Sequence, residues 1–297
     1  MSFASLKKAS SKGDTFAKLT REIEKLNQPA AGSSADERFW KPEMDKSGNG
    51  FAVIRFLPAP DGEEMPWAKV WSHAFKGPGG QWYIENSLTT LGKDDPVGEM
   101  NRQLWNSGND SDKEIARAQK RKLSYYSNIY VVSDPAHPEN EGRVFLYKFG
   151  KKIFDKLTEA MQPAFVDESP IDPFNFWKGA DFKLKIRKVE GYWNYDKSEF
   201  EAPSALFDDD DKLEETWKTQ YPLSEFTSAS NFKSYDELKK RLDMVLAGTT
   251  TVGNAAAVME DAPKAEPKVD TKPTPAPTVD TDDDGDTMSY FEKLANE

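Results

Sequence analysis

Lys120-Arg121-Lys122-Leu123-Ser124-Tyr125-Tyr126-Ser127-Asn128-Ile129-Tyr130-Val131-Val132 is the stretch on which the fold of this chain turns. From Ser124 to Val132 it has the β-branched and aromatic content of a strand, and three consecutive cations lead into it. A second strand-like run, Arg143 to Phe149, ends in Tyr147-Lys148-Phe149-Gly150-Lys151-Lys152. Single-stranded nucleic acid needs both residue types: cations for its phosphates and flat rings for its unpaired bases. Lys120, Arg121, Lys122, Lys148, Lys151 and Lys152 are therefore candidate phosphate ligands, and Tyr125, Tyr126 and Tyr147 candidate stacking rings. A plainer reading fits the same residue types, with the tyrosines as sheet packing and the charges as a solvated face.

Outward from this stretch the pattern stays β-rich. Phe51 to Leu57 follows the Ser47-Gly48-Asn49-Gly50 turn as a strand, Trp67 to Phe75 alternates as another, and Gln81 to Ile84 returns after Gly77-Pro78-Gly79-Gly80. Phe182 to Val189 is a further strand. Gly92 to Gly108 is polar and irregular, whereas Asp112 to Lys122, Ile153 to Met161 and Tyr235 to Leu246 have helical spacing. Thr15 to Asn27 also places Phe16, Leu19, Ile23 and Leu26 on one helical face, with Asp14 as its cap. Short strands broken by turns, with a few helices, predict a mainly β fold with α elements, a small β-barrel with insertions.

The chain has 297 residues, no cysteine and only two histidines, His73 and His137. Disulfides and thiolate metal sites are thereby excluded, and a Ser-His-Asp triad would need one of the two histidines. No apolar run reaches the length of a membrane span and no apolar signal core is present, so a soluble cytosolic protein is expected. The formal charge of -11 is unevenly spread. Glu260 to Glu297 carries -7, whereas Met1 to Lys25 carries +3 and Lys113 to Lys156 carries +5. Ala262 to Val279 alternates Pro, Lys and Thr and cannot build a core. Beyond it lie Asp280, Asp282, Asp283, Asp284 and Asp286, then a short apolar stretch with Tyr290 and Phe291 that suits a docking peptide. The bland alternative for this tail is a solubilising segment.

Arg55 sits in an apolar strand and must point outward, toward a phosphate, or find a partner. Gly191-Tyr192-Trp193-Asn194-Tyr195 offers a second stacking patch, although a buried Trp is as good a reading. Asp208-Asp209-Asp210-Asp211 is contiguous rather than convergent and reads as a solvated loop, not a metal site. Neither a GxxxxGK[ST] nor a GxGxxG loop is present, and no catalytic constellation emerges.

The order of these motifs is itself informative. Lys120 to Tyr126, Asp134-Pro135, Pro138 to Phe145, Phe149 to Ile153 and Gly50 to Pro58 resemble the single-stranded DNA-binding protein of T-even-like bacteriophages. His73 to Lys76, Trp82 to Glu85 and Gly191 to Tyr195 fit as well, so the resemblance runs from about Trp40 to Leu246. It implies a non-catalytic protein with an OB-fold core that coats single-stranded DNA and destabilises duplex during phage replication, recombination and repair, in the cytoplasm of the infected host. Carried onto this chain, the DNA contacts fall on Arg55, Lys120, Arg121, Lys122, Tyr125, Tyr126, Arg143, Tyr147, Lys148, Lys151, Lys152, Tyr192 and Tyr195. One family aromatic falls on Ala116. The implied layout is a basic N-terminal segment over 1–35, a DNA-binding core over 36–250 with a subdomain at 66–110, and an acidic tail over 251–297. The first would mediate self-association along the strand through Lys7, Lys8 and Lys12, and the last would recruit replication and recombination proteins.

The family's zinc subdomain uses one His and three Cys. Here His73 holds the His position, while Ser87, Asp95 and Gly98 stand at the Cys positions. Ser and Gly cannot replace thiolates, so the expected cofactor is none, with the hairpin held by Trp67, Trp71, Trp82 and Trp105. A substitute site of His73, Asp95 and Glu99 is the alternative. Two rival functions are a carbohydrate-binding β-module using the aromatic surface and a metal-dependent nuclease using Asp208 to Asp211.

Overall fold

The computed structural model describes residues 36–189 and 192–248. The chain divides into two units, Met1–Phe39 and Trp40–Glu297. Of the first, only residues 36–39 are described, a turn in which Arg38 pairs with Asp36 at 2.8 Å. The Thr15 to Asn27 helix, the basic head and the acidic tail lie outside the described residues.

The described residues form a mixed structure of nine strands and five α-helices. The strands are β1 (Phe39–Trp40), β2 (Gly50–Phe56), β3 (Ala68–Lys76), β4 (Trp82–Asn86), β5 (Lys122–Ser133), β6 (Val144–Phe149), β7 (Phe182–Val189), β8 (Tyr192–Asn194) and β9 (Glu199–Phe200). The helices are α1 (Pro96–Asn106), α2 (Asp110–Ala118), α3 (Lys151–Met161), α4 (Asp210–Lys218) and α5 (Tyr235–Leu246). The central order is β6-β5-β2-β7-β8, with β3 and β4 branching from β5 and β9 from β7. Among the described residues no pairing closes this order into the expected barrel. No helix among them is long and apolar enough to cross a membrane.

The 12-residue strand β5 is the spine. Along one edge it pairs with β6, from Tyr125↔Phe149 to Tyr130↔Val144. Along the other it pairs first with β3, Lys122↔Ser72 to Tyr126↔Ala68, and then with β2, Ile129↔Phe56 to Ser133↔Val53. One strand thus joins the main sheet to the β3–β4 hairpin. The main core gathers Trp40, Ile54, Phe56, Ile129, Tyr147, Phe149, Phe182 and Leu184, supplied by alternate positions of the strands. A second cluster packs Phe75, Tyr83, Leu88 and Val97 against Leu238, Leu242 and Val245 of α5. The approach is close: a Cβ on Gly77 would lie 2.2 Å from the Val245 carbonyl oxygen, so only glycine fits at that turn.

Two segments differ from their sequence reading. Gly92 to Gly108, read as irregular, contains α1. Its signal is local: Asp95 caps the helix by accepting from the Val97 and Gly98 N–H groups, and Pro96 occupies the first turn. Asp208 to Asp211, read as a loop, starts α4 with Asp209 as N-cap and Asp210 and Asp211 in the first turn. Carboxylates there oppose the positive end of the helix dipole, which accounts for the acidic run without metal. Leu213 is buried on this helix, and the Trp217 indole donates to the Ala59 carbonyl at 2.9 Å.

Candidate nucleic-acid interface

Strand parity sorts the aromatic residues of β5. Tyr125 faces the core, where its ring stacks on Phe154 at 3.9 Å and 4° and on Phe149 at 5.7 Å. Tyr147 is likewise buried, edge-on to Trp40 at 5.3 Å and against Phe149. Neither ring has a face open to a base, which corrects the reading of both as stacking residues. Side chains at i and i+2 share a face of a strand, so tyrosines at 125 and 126 cannot both look outward.

Tyr126 takes the other face with Lys122 and Ser124. Its direct cross-strand partner is Lys148 of β6, whose ammonium lies 5.7 Å from the ring centroid. A residue not foreseen from the sequence completes this face: the Phe226 ring stacks on Tyr126 at 4.3 Å and 12°. Its placement has a traceable cause. Asn128, next on the same face of β5, donates to the Tyr221 carbonyl at 2.8 Å and accepts from the Tyr221 N–H at 2.9 Å. Glu63 accepts from the Leu223 and Ser224 N–H groups at 3.1 and 2.8 Å. The short 3-10 turn Ser224–Thr227 then sets Phe226 over Tyr126. The Asn128 carboxamide in the basic-aromatic strand is the one sequence signal for this docking, and nothing local points from it to Tyr221.

The cations divide. Lys120, Arg121 and Lys122 are half-buried at the start of β5, whereas Lys148 and Arg143 are exposed, the latter 4.7 Å above the Phe145 ring. Lys151 and Lys152 occupy the first turn of α3, where Lys151 pairs with Asp155 at 2.8 Å. That turn has no acidic residue, and its N-cap Gly150 contributes no side-chain acceptor. Cations at the positive end of a helix dipole create a local field that favours an anion. Among the described residues the aromatic hollow lined by Trp67, Phe174, Phe176 and Trp177 lies elsewhere and carries Glu64 and Asp172, the wrong charges for phosphate.

Arg55 is not a surface cation. It is 1 % exposed, and its guanidinium donates to Asp181 Oδ1 at 2.7 Å and to the Ser204 carbonyl and hydroxyl at 3.1 Å each. It found the internal partner that its apolar strand demanded, and it is withdrawn from the phosphate contacts. Tyr192 is exposed on β8, three strands from β5 in the sheet order, while Tyr195 and Trp193 pack against the main core. The structure therefore does not join these residues to the Tyr126 face. Ala116 is fully buried beneath Leu104 and Trp105. Lys7, Lys8, Lys12, Asp280, Asp282, Asp283, Asp284, Asp286, Tyr290 and Phe291 lie outside the described residues.

The β3–β4 subdomain has a buried polar centre where the resemblance places a metal. His73 of β3 donates from Nδ1 to the Gln119 carbonyl at 3.0 Å, and its Nε2 lies 3.2 Å from Asp95 Oδ1 in an ion-pair rather than a well-aligned hydrogen-bond geometry. The other Asp95 oxygen accepts from the Ser87 hydroxyl at 2.9 Å and the Leu88 N–H at 3.1 Å. Val97 and Gly98 N–H groups, at 3.1 and 3.2 Å, complete the set. Burial pushes the Asp95 carboxyl up, but the neighbouring His73 ring and the hydrogen bonds from Ser87 and Gly98 outweigh it and hold the group below its usual range. These residues do not fit zinc: no thiolate is available, Asp95 is saturated by donors and His73 Nδ1 is held by the Gln119 carbonyl. The His73, Asp95 and Glu99 alternative is not assembled, because the Glu99 carboxylate accepts from the Tyr235 hydroxyl at 2.6 Å. Among the described residues no three His, Asp or Glu side chains converge as ligands. Of the tryptophans expected to hold the hairpin, Trp67 packs instead with Phe154 and Phe174, whereas Trp82 lies under Lys76, its direct partner across the hairpin.

Comparison with known proteins identifies what this arrangement belongs to. A family model described as gp32 DNA binding protein like matches residues 48–246, most of the chain. The chain belongs to the gp32 family of phage single-stranded DNA-binding proteins. The single-stranded DNA-binding protein of Enterobacteria phage T4 is 44% identical over 254 residues, covering 83% of this chain and 82% of that protein. The protein of the same name from Enterobacteria phage T2 is 44% identical over 255 residues, with the same coverage. A shorter relative from Enterobacteria phage RB70 is 41% identical over 120 residues, 39% of this chain. gp32-family proteins act in phage replication and recombination and are not enzymes.

Proposed function

We propose that this chain coats single-stranded DNA without sequence preference through the outer face of β5 and β6. The observation that carries the reading is the cross-strand pair Tyr126–Lys148, a ring and a cation directly opposed on one face, with Phe226 stacked behind the ring. Lys122 and Lys148 on that face supply phosphate contacts, joined beyond the strand ends by Lys120, Arg121, Arg143, Lys151 and Lys152, and the Tyr126–Phe226 column offers a rigid stacking platform. Tyr192 is an outlying stacking candidate. The strand order is compatible with an OB-type core whose closing contacts involve more than the described pairings. Because a duplex exposes no unpaired base to such a platform, binding shifts melting toward single strands. The basic head, through Lys7, Lys8 and Lys12, supports contacts between neighbouring copies. The tail, through its aspartates with Tyr290 and Phe291, recruits replication and recombination proteins in the host cytoplasm.

The test is quenching of aromatic fluorescence on titration with oligo-dT, against a duplex of equal length, at low and moderate salt. Quenching that is selective for the single strand and weakens with salt supports the reading. Salt-insensitive binding, or quenching by a glycan instead, would favour the carbohydrate-module alternative.

A further inference from the structure

The β3–β4 hairpin continues the face that carries Tyr126. Ala68, Val70 and Ser72 lie opposite Tyr126, Ser124 and Lys122 of β5, so Ala74 and Lys76 follow on that face, and their partners Ile84 and Trp82 of β4 share it. The opposite face anchors the hairpin: the Phe75 and Tyr83 rings stack at 5.0 Å and 19° in the cluster that α5 covers. At the turn, the Gly77 N–H donates to the Gln81 carbonyl at 2.8 Å, and Gly77 lies tight against Val245. Lys76 is exposed, Trp82 is half-buried, and Ile84 beside them is 51% exposed.

At this end the arrangement of Tyr126 and Lys148 recurs. Lys76 and Trp82 are direct cross-strand partners, the ammonium 5.1 Å from the ring centroid, against 5.7 Å for Lys148 and Tyr126. The one carboxylate in β3, β4, β5 and β6, that of Glu85, is on the opposite face and pairs with Lys233 and Arg241. The shared face is therefore free of strand-borne negative charge, which favours a polyanion. An ammonium on a flexible four-carbon stem can leave the ring for a phosphate and free the indole for a base. Between the two pairs Ala68 and Val70 are buried where the Ser224–Thr227 turn packs on β3, so the pairs are separate positions and not one strip. Ala68 to Lys76 spans about 26 Å at the usual strand rise. We propose that Lys76, Trp82 and Ile84 form a second single-strand subsite, which takes a base on Trp82 and a phosphate on Lys76. It rests on the DNA-binding surface proposed above.

The experiment measures oligo-dT affinity of the full chain against salt, with oligomers of about 4 and about 16 nucleotides, the limits of OB-type site sizes. The shorter is taken up at the cation-rich Tyr126 end, and only the longer reaches both. Trp82→Ala should weaken binding of the longer oligomer about five- to tenfold, the lower range of one base–aromatic stack, and leave the shorter unaffected. Trp82→Phe should keep most of the affinity. Lys76→Gln should lower the magnitude of the longer oligomer's salt slope by about 0.7, the value for one single-strand phosphate contact. Unchanged binding of the longer oligomer in both Trp82→Ala and Lys76→Gln, or equal losses at both lengths, would overturn the second subsite. The surface reading stands in that case if Tyr126→Ala still weakens both lengths, and falls with it if Tyr126→Ala weakens neither. If Trp82→Ala fails to fold, Lys76→Gln at its exposed position decides: an unchanged slope would overturn the subsite.

Discussion

Tyr125 and Tyr126 are adjacent in the chain and occupy opposite faces of β5, one stacked on Phe154 inside the core and the other on Phe226 outside it. The two positions therefore answer to different forces. Tyr126→Ala should weaken oligo-dT binding roughly tenfold, the scale of one base–aromatic stack, with little change in melting temperature. Tyr125→Ala should destabilise the fold by about 3–5 kcal/mol, as for other large core deletions. Titration and thermal melts of both variants check the contrast, and equal effects on binding by folded protein would contradict it.

Arg55 behaves as a buried structural cation. Arg55→Ala leaves Asp181 without its partner and the Ser204 carbonyl and hydroxyl without a donor, so a loss of about 3–5 kcal/mol is expected in urea unfolding. The protein that remains folded should bind oligo-dT with unchanged affinity and unchanged salt slope.

Asp95 should be as demanding. Asp95→Asn removes the charge toward which His73 and four other donors converge, and a loss of about 3 kcal/mol or more is expected. The pH dependence follows from the direction of its shift. A carboxyl held below 3.8 in the fold contributes its full stability above that value and loses it as the pH falls through its folded range. Acid unfolding of the unsubstituted protein should therefore be steeper below pH 3.8 than that of Asp95→Asn.

Chelation separates this chain from a zinc-dependent fold. Because the subdomain is held by the His73–Asp95–Ser87 cluster rather than by thiolates, excess chelator should leave the melting temperature unchanged. A fall of several degrees on chelation, reversed by added zinc, would show that a metal contributes.

Truncation before Glu260 removes a net charge of -7. If that segment competes with DNA for the cations of β5, the truncated chain should bind oligo-dT more tightly at low salt, with the difference vanishing as screening increases. Equal affinity at all salt concentrations would exclude competition.

The local features of this protein were legible from its residues. Runs of β-branched, aromatic and alternating apolar residues bounded by turns located β2, β3, β5, β6 and β7, and helical spacing from Tyr235 to Leu246 marked α5. The order of the basic and aromatic motifs pointed to the family, and the lack of cysteine ruled out a thiolate zinc site. These follow from propensity, periodicity and ligand chemistry, which act within a few residues or on composition alone. What faces what was decided elsewhere. The register of β5 against β3 and β6 chose Tyr126 over Tyr125 for the surface, because a strand has two faces and only packing says which is inside. Phe226 meets Tyr126 across a hundred residues of chain through Asn128 and Tyr221, and Arg55 meets Asp181 across 126. Ser87, read as a lost ligand, and Asp95, read as a lost or substitute one, form with His73 the polar centre of the subdomain. Contacts of this kind depend on loop closure and on the satisfaction of buried polar groups, and only the folded chain sets both.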